Sequence, residues 1–481
     1  MRFDSPEATV AEIAQGVRGG DVTALAVIQA TLARVGKLNP LLNAFTDVTA
    51  ERALRRAAQI DRDRAIGKPL GALAGVPFAV KNLFDVEGLP TRAGSKINRS
   101  RPPAQRDSPL IERLEAAGAV LVGALNMGEY AYDFTGENVH DGASRNPHDT
   151  NRMTGGSSGG SGGAVAGRMV PLALGSDTNG SIRVPSSFCG LFGLKPTYGR
   201  LSRARSFPFV ASLDHVGPLA RSARDLALAY DAMQWPDPHD PVATDRPVEP
   251  AMPSLVRGAE GLRIAIAGGY FRKNLLPPAQ EAVARVVGAL DARSEIELPE
   301  ASRARAAAYV ITAAEGASLH LDRLRKHTDD FDPALRDRLI AGAMIPAALV
   351  NRAQKFRRYF YARVLPLFGE VDAIIAPATP CVAPPIGERT FVLDGVELPL
   401  PPNLGIHTQP ISFIGLPVVV VPVPLTPLPV GVQIIAAPWR EDVALRIAYA
   451  LEQAGVAIAP KPRFDDGQVD DGALGRRGPS L

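Results

Sequence analysis

Cysteine is scarce in this chain, which has it only at positions 189 and 381. Two cysteines cannot build a disulfide framework, and they fit a reducing cytoplasm. We expect Cys189 to be a small core residue rather than a nucleophile. The seven histidines show no metal-ligand spacing, so we predict neither a metal site nor a cofactor.

Long apolar runs and an excess of one charge are also missing. No run approaches the roughly 18 apolar residues that a membrane-spanning helix needs. The first residues lack the charged-then-apolar design of a signal peptide. The 53 basic and 50 acidic residues give a net charge of +3, with no basic stripe for nucleic acid. We therefore expect a cytoplasmic protein that binds neither membrane nor nucleic acid.

Glycine, by contrast, is abundant and occurs together with serine in two segments. Gly155–Gly163 is GGSSGGSGG, and Gly175–Gly190 is GSDTNGSIRVPSSFCG. Ser157 and Ser181 lie in these segments with no histidine beside either. A serine hydroxyl is a poor nucleophile unless a base takes its proton and N–H groups stabilise the oxyanion. The pattern predicts a serine-dependent site whose base lies elsewhere in the chain.

Lys81 is the candidate base. It follows Val76–Val80, which we predict to be a short buried strand. Burial disfavours the ammonium form of a lysine and lowers its pKa, so that the amine can accept a proton near neutral pH. The alternative is an ordinary lysine at a strand end, with its stem packed and its charge in water.

Other interpretations of the glycine–serine run have less support. An α/β-hydrolase nucleophile elbow needs an apolar strand just before the serine, but residues 144–154 are polar. The chain has no phosphate-binding G-x-x-x-x-G-K-[ST] motif, and no lysine has a serine three residues before it. A flexible linker is disfavoured because small apolar residues typical of a core follow at 164–174.

Taken together, these segments resemble the amidase signature family. The resemblance is carried by Lys81, the Gly-Gly-Ser-Ser-Gly-Gly run at 155–160, the Gly-Ser-Ile-Arg run at 180–183, and the segments 188–190 and 193–197. It extends from about residue 6 to residue 455. It implies an α/β fold with a mixed, largely parallel central sheet, helices on both faces of the sheet, and a helical cap-like region.

The resemblance also implies a Ser–cisSer–Lys triad and an acyl-enzyme. Ser181 would be the nucleophile, Ser157 on a cis peptide would relay the proton, and Lys81 would be the base. Backbone N–H groups would form the oxyanion hole, and three side chains would support the loop. The oxyanion residues are Thr178, Asn179 and Gly180, and the supporting residues are Ser158, Asp177 and Arg183. Many members of the family have a second glycine where this chain has Asn179. Because the contribution is a backbone N–H, we expect Asn179 to keep its place in the oxyanion hole.

Strand and helix patterns alternate along the chain, which favours an α/β core. We expect one domain over residues 1–460, with the signature core at about 70–220. Residues 301–368 have an almost continuous helical pattern, and the helical region on the substrate side would span about 300–370. Residues 461–481 look like a flexible tail.

Two further segments resemble the A subunit of glutamyl-tRNA(Gln) amidotransferase. The resemblance implies that Tyr309 and Arg357 hold the substrate, and an arginine can pair with both oxygens of a carboxylate. An ordinary helix-surface arginine is the alternative. The amidotransferase also has an acidic residue for the ammonium group of glutamine, whereas Thr426–Pro429 offers no carboxylate. This departure argues against an amino-acid substrate.

A narrower group, the 1-carboxybiuret hydrolases of s-triazine degradation, is similar in residues 132–149, 330–347 and 433–442. The implied substrate is a small, planar, carboxylated urea derivative, cleaved with release of ammonia. The group also implies a short helical partner resembling the amidotransferase C subunit, in a homodimer or heterotetramer. A glutaminase subunit of a tRNA-dependent amidotransferase and a broad small-amide amidase remain alternatives. His140 and His148 either line the pocket mouth or are ordinary loop residues.

Overall fold

The strands alternate with helices throughout the structure, a computed structural model that describes residues 3–462. Within that range the strands are β1 (Phe45–Val48), β2 (Pro77–Lys81), β3 (Val120–Leu125), β4 (Arg145–Asn146), β5 (Asp149–Met153), β6 (Leu172–Asp177), β7 (Phe192–Lys195), β8 (His215–Ala220), β9 (Ile264–Ala267), β10 (Ser294–Ile296), β11 (Ala373–Pro377), β12 (Thr390–Leu393), β13 (Val396–Pro399), β14 (Val418–Val423) and β15 (Val430–Ala436).

The helices of the same range surround these strands. They are α1 (Val10–Gly19), α2 (Ala24–Leu42), α3 (Ala50–Ala65), α4 (Pro109–Ala116), α5 (Gly159–Ala166), α6 (Arg183–Phe188), α7 (Ala223–Met233), α8 (Met252–Leu255), α9 (Pro277–Ala289), α10 (Ala301–Lys326), α11 (Pro333–Ala343), α12 (Ala347–Val364), α13 (Leu400–Asn403), α14 (Gln409–Phe413) and α15 (Glu441–Gln453). No helix in the described part of the chain is long and apolar enough to cross a membrane.

One large sheet forms the centre of the fold, in the order β1-β3-β2-β6-β8-β7-β14-β15-β11-β9-β10. Most of its inner strands are apolar and buried, whereas the edge strands β1 and β10 are partly exposed. β14, for example, has the sequence VVVVPV and is buried at every position, as expected for a β-branched strand packed on both sides. Helices α5, α9 and α15 pack directly against strands of this sheet. The predicted α/β class is confirmed.

The sheet is mixed as predicted, but it is not largely parallel. Parallel pairing joins β2 to β3 and β6, and β9 to β10 and β11. The remaining neighbours, from β6 through β8, β7, β14 and β15 to β11 and at the β1–β3 edge, are antiparallel. The prediction was wrong on this point because alternating strand and helix patterns do not fix strand direction. Strands such as β14 and β15 are joined by a short loop and need no crossover helix.

The parallel pair β2 and β6 positions the predicted catalytic residues. Phe78 pairs with Leu172 and Val80 with Leu174, so both strands end at the same edge of the sheet. Lys81 is the last residue of β2, and Asp177 is the last residue of β6. Because parallel strands point the same way, the lysine and the loop after β6 meet at this edge.

Helices α10, α11 and α12 form a helical layer, which the sequence predicted over 301–368. α10 packs against both α11 and α12 and against the short helix α14. Asp332 caps α11, since its Oδ1 accepts a hydrogen bond of 2.8 Å from the N–H of Ala334. The predicted tail, residues 461–481, lies outside the described residues from position 463 onward.

Candidate active site

Lys81 is fully buried, and its amine contacts three serine hydroxyls. Lys81 Nζ lies 2.7 Å from Ser157 Oγ, 3.1 Å from Ser158 Oγ and 2.9 Å from Ser176 Oγ. Burial lowers the pKa of Lys81 from 10.5 to about 7, although Asp177 and other nearby carboxylates act in the opposite direction. The amine is therefore able to exchange a proton with Ser157 near neutral pH.

Ser157 follows a cis peptide bond between Gly156 and Ser157. The segment is held by backbone hydrogen bonds, in which Gly156 N–H donates to Phe134 O at 2.8 Å and Gly128 N–H donates to Ser157 O at 3.1 Å. These bonds fix the Ser157 hydroxyl against the amine of Lys81.

Several glycines of this run are required by close packing. A Cβ at position 156 would lie 2.3 Å from Asp133 Oδ2, and a Cβ at position 160 would lie 2.5 Å from Ala44 O. Residues 153–166 are buried throughout, and α5 begins at Gly159. The run is therefore a close-packed helix start, in agreement with the expectation that it is not a flexible linker.

Ser181 lies in the loop between β6 and α6, and 3% of its surface is exposed. It lines a small cavity. Among the hydrogen bonds of the described residues, none joins Ser181 Oγ to Ser157 Oγ. The contacts from Lys81 to Ser157 are thus in place, and Ser181 borders the space where a substrate would sit.

Asp177 and Arg183 form a fully buried ion pair at the two ends of this loop. Arg183 Nη2 lies 2.9 Å from Asp177 Oδ1, and Asp177 Oδ2 accepts from the N–H of Ile182 at 3.1 Å. Burial alone would raise the pKa of Asp177, but the guanidinium holds it below its usual range. Arg183 also donates to Thr408 O at 3.0 Å and Gln433 Oε1 at 2.8 Å. A fully bonded buried pair of this kind fixes the loop geometry.

The loop itself presents a row of amide groups. Within the described residues, no protein acceptor takes the N–H groups of Thr178, Asn179, Gly180 or Ser181. Gly180 has a φ of 149°, and a Cβ there would lie 2.3 Å from Thr408 Oγ1. Thr408 Oγ1 in turn donates to Asn179 O at 2.6 Å. Consecutive buried N–H groups without acceptors are suited to stabilise an oxyanion.

Side chains also support the loop from outside. Thr178 Oγ1 donates to Asp214 Oδ1 at 2.6 Å, and Asn179 Nδ2 donates to Thr312 Oγ1 at 2.9 Å. Asn179 Oδ1 is buried without a hydrogen-bond partner in the described structure. Asp214 also accepts from the N–H groups of Phe209 and Val210. The loop is therefore connected both to the segment before β8 and to α10.

The structure separates the two residues predicted to bind substrate. Tyr309 of α10 lines the cavity of Ser181. Arg357 of α12 lines a different cavity, together with Lys355 and Arg358, and its Nε donates to Phe413 O at 2.6 Å. The predicted carboxylate clamp is therefore not assembled in this conformation.

Two residues of the site were missed by sequence reasoning. Ser176, the third hydroxyl on Lys81, lies inside the glycine–serine segment, where nothing in the pattern distinguishes it from its neighbours. Arg338 of α11 lines the cavity of Ser181 and donates to Tyr132 O at 2.7 Å. It falls within the 330–347 segment that carried the narrower resemblance, which was the one available signal.

His140, His148 and Cys189 do not line the cavity of Ser181. His140 Nε2 lies 3.1 Å from the buried carboxylate of Glu129, and His148 Nε2 lies 3.0 Å from Cys189 O. Burial raises the pKa of the Cys189 thiol, consistent with a core residue. Residues 3–462 contain no cluster of three or more histidine, cysteine or acidic residues suited to a metal ion.

Known sequences match this chain over most of its length. An Amidase family profile matches residues 26–445. The AtzE polypeptide of 1-carboxybiuret hydrolase from Pseudomonas sp. strain ADP is 53% identical over 449 residues, which cover 93% of this chain and 98% of AtzE. The A subunit of the glutamyl-tRNA(Gln) amidotransferase from Azotobacter vinelandii is 39% identical over 476 residues, which cover 93% and 97% of the two chains.

Solved structures agree with these matches. One, described as a vestigial protein complex that reveals the origins of an s-triazine catabolic enzyme, is 52% identical with a TM-score of 0.93, covering 94% of this chain and 100% of that one. The 6-aminohexanoate cyclic dimer hydrolase complexed with substrate is 27% identical with a TM-score of 0.86, covering 96% and 100%.

The chain belongs to the amidase signature family, as the sequence predicted. It is an amide hydrolase that acts on C–N bonds. Within that family it is closely related to AtzE of 1-carboxybiuret hydrolase, and more distantly to the A subunits of glutamyl-tRNA(Gln) amidotransferases.

Proposed function

We propose that this chain hydrolyses the C–N bond of a small carboxylated urea-type amide, such as 1-carboxybiuret, and releases ammonia. The observation that carries the catalytic part is the fully buried amine of Lys81, 2.7 Å from Ser157 Oγ. The relationship to AtzE supports the substrate class.

The first half-reaction forms an acyl-enzyme on Ser181. Neutral Lys81 takes the proton of the Ser157 hydroxyl, and Ser157 takes the proton of Ser181 as its Oγ attacks the amide carbonyl. The pKa of about 7 for Lys81 leaves a useful neutral fraction at physiological pH. The C–N bond then breaks, and the same relay returns the proton to the leaving nitrogen, which departs as ammonia.

The second half-reaction uses water. A water molecule loses a proton to the relay through Ser157 and attacks the acyl carbon. The ester bond to Ser181 breaks, Ser181 Oγ regains its proton, and the acid product leaves. The relay begins and ends each cycle with a neutral lysine, so no external acid or base is needed.

The loop residues supply the oxyanion hole in both steps. Thr178, Asn179 and Gly180 would donate N–H groups to the tetrahedral oxygen, joined by the N–H of Ser181. The absence of protein acceptors for these groups, within the described residues, supports that role. Asp177, Arg183 and Ser158 hold the loop and the amine in position.

The lining of the cavity supports a small planar substrate. Aromatic side chains line it at Tyr132, Phe134, Phe209 and Tyr309. Aromatic rings are able to stack on a conjugated, planar urea. Arg357, predicted to bind the carboxylate, would have to leave the carbonyl of Phe413 and turn toward the cavity to do so.

A short helical partner protein and a cytoplasmic location are also part of the proposal. One related structure is a protein complex, and the amidotransferase relatives are subunits. Copurification of this chain with a small protein encoded beside its gene, followed by measurement of the assembly mass, tests the partner.

Ammonia release distinguishes the proposed substrate from its main alternative. Purified protein, with and without a small partner, is assayed with 1-carboxybiuret and with glutamine under the same conditions. We expect turnover of 1-carboxybiuret and none of glutamine. Turnover of glutamine with none of 1-carboxybiuret would assign the chain to the amidotransferase subunits instead.

A further inference from the structure

The cavity of Ser181 contains one cationic side chain among the described residues, and it is Arg338 rather than Arg357. Arg338 also lines a larger outer cavity, which shares Tyr132, Asp133 and Pro401 with the inner one. Arg338 therefore borders both the outer cavity and the space next to the nucleophile.

Two backbone carbonyl groups and one aromatic ring hold the guanidinium of Arg338. Nη2 donates to Tyr132 O at 2.7 Å, and Nε donates to Ala334 O at 3.2 Å. The guanidinium carbon lies 4.2 Å from the centre of the Tyr132 ring, and that ring packs against Phe209 at 4.7 Å. Contact with an aromatic face holds an arginine without using its remaining N–H donors.

No carboxylate of the described residues forms an ion pair with Arg338. Asp133 lies in the same cavity wall, but both of its oxygens are used elsewhere. Oδ1 accepts from Thr135 N at 2.8 Å and Thr135 Oγ1 at 2.7 Å, and Oδ2 accepts from Gly136 N at 2.7 Å. Apart from its bonds to Tyr132 O and Ala334 O, the guanidinium of Arg338 has no further acceptor within the described residues, and the residue lines the cavity.

Two other arginines close to this region are already occupied. Arg389 lines the outer cavity, and its Nη1 lies 2.7 Å from Glu137 Oε2. Arg305 of α10 donates to Gln409 Oε1 and Asn403 Oδ1, each at 2.7 Å, and to Pro402 O at 3.1 Å. It does not line the cavity of Ser181. The comparison leaves Arg338 as the guanidinium available to a ligand.

We propose that Arg338 binds the carboxylate of the substrate where the two cavities share their lining and selects monoanionic amides over neutral ones. The inference rests on the proposed function. A carboxylate held there extends the planar substrate toward Ser181, and a charge-assisted pair with free guanidinium donors supplies the affinity. Arg338 then determines specificity, and the reaction steps stay with Lys81, Ser157 and Ser181.

The test compares two ureas of nearly the same shape. 1-Carboxybiuret carries the carboxylate, and triuret carries an uncharged carboxamide in its place. Ammonia release gives kcat and KM for wild type, Arg338→Gln, Arg338→Lys and Arg357→Gln. If triuret is not turned over, its inhibition constant against 1-carboxybiuret takes the place of its KM.

We expect Arg338→Gln to raise KM for 1-carboxybiuret by roughly 10- to 100-fold, the range of a hydrogen bond to a charged group, with a much smaller change in kcat. Arg338→Lys should recover part of that loss. Binding of triuret should change little in either variant, which also shows that the site is folded. Arg357→Gln should leave the preference for the carboxylate unchanged.

Two results would overturn the inference while the proposed function stands. Equal losses on both compounds in Arg338→Gln would mean that the arginine only supports the fold. Loss of the carboxylate preference in Arg357→Gln alone would return the clamp to Arg357. A wild-type protein that fails to hydrolyse 1-carboxybiuret would refute the proposed function first, and the inference with it.

Discussion

The serine–lysine centre and the helical layer lie on either side of one cavity, but they are built in different ways. Around Lys81 the residues are almost fully buried and connected by hydrogen bonds on every side. On α10–α12, Tyr309 and Arg338 are half-buried, and each has one side toward solvent or the cavity. The buried centre therefore holds the catalytic side chains in one arrangement. In the helical layer, side chains that border the cavity are able to differ, and the substrate with them, without disturbing that arrangement.

The largest effect on activity is expected in the serine–lysine centre. Ser181→Ala removes the attacking oxygen, so kcat should fall by about 10⁴-fold or more, as for other serine hydrolase nucleophiles. Ammonia release measures kcat, and thermal unfolding shows that the fold remains.

Ser161→Ala is the matched control for that loss. Ser161 is a buried serine of the same glycine-rich run, but its hydroxyl donates to Leu174 O at 2.9 Å rather than meeting Lys81. Its kcat should stay within a few-fold of wild type. Substantial turnover by Ser181→Ala would show that another group is the nucleophile.

The pH dependence should report the buried lysine. The base must be neutral, and burial places the pKa of Lys81 at about 7. Activity should therefore rise with pH and level off above that value, falling about tenfold per unit on the acid side. The measurement is kcat/KM for 1-carboxybiuret between about pH 5.5 and 8.5. A profile that is flat across this range, or that falls as pH rises, would contradict a neutral Lys81 as the base.

The serine–lysine centre was also more predictable from the sequence than the helical layer. The glycine positions are set by close packing, as the 2.3 Å approach at position 156 shows, so the run has few alternative sequences. Lys81 follows an apolar strand, and the apolar pattern by itself indicates burial. The residues around the serines were named from the resemblance of these segments to the amidase signature family, and in the structure Lys81 contacts Ser157 and Ser158.

The helical layer was less predictable because its residues lie on partly exposed helix faces. Arg357 and Arg338 are both arginines on amphipathic helices, and only their three-dimensional placement separates them. The parallel share of the sheet was overestimated for a similar reason, since a buried strand has the same pattern in parallel and antiparallel pairs. The sequence pattern of a helix or a buried strand is compatible with more than one arrangement. It therefore does not determine which arginine borders the cavity or in which direction a strand pairs.

The smallest effect is expected at the contact that joins the two regions. Asn179 Nδ2 donates to Thr312 Oγ1 of α10 at 2.9 Å, which ties the oxyanion loop to the helical layer. Asn179→Gly keeps the backbone N–H but removes this hydrogen bond, so kcat should fall by about 2- to 10-fold, the value of a neutral hydrogen bond.

Thr312→Val removes the same hydrogen bond from the side of α10. If the bond itself positions the loop, the double variant should lose little more than either single variant. Fully additive losses would show that the loop and α10 act independently, and that the helical layer affects catalysis through the substrate alone.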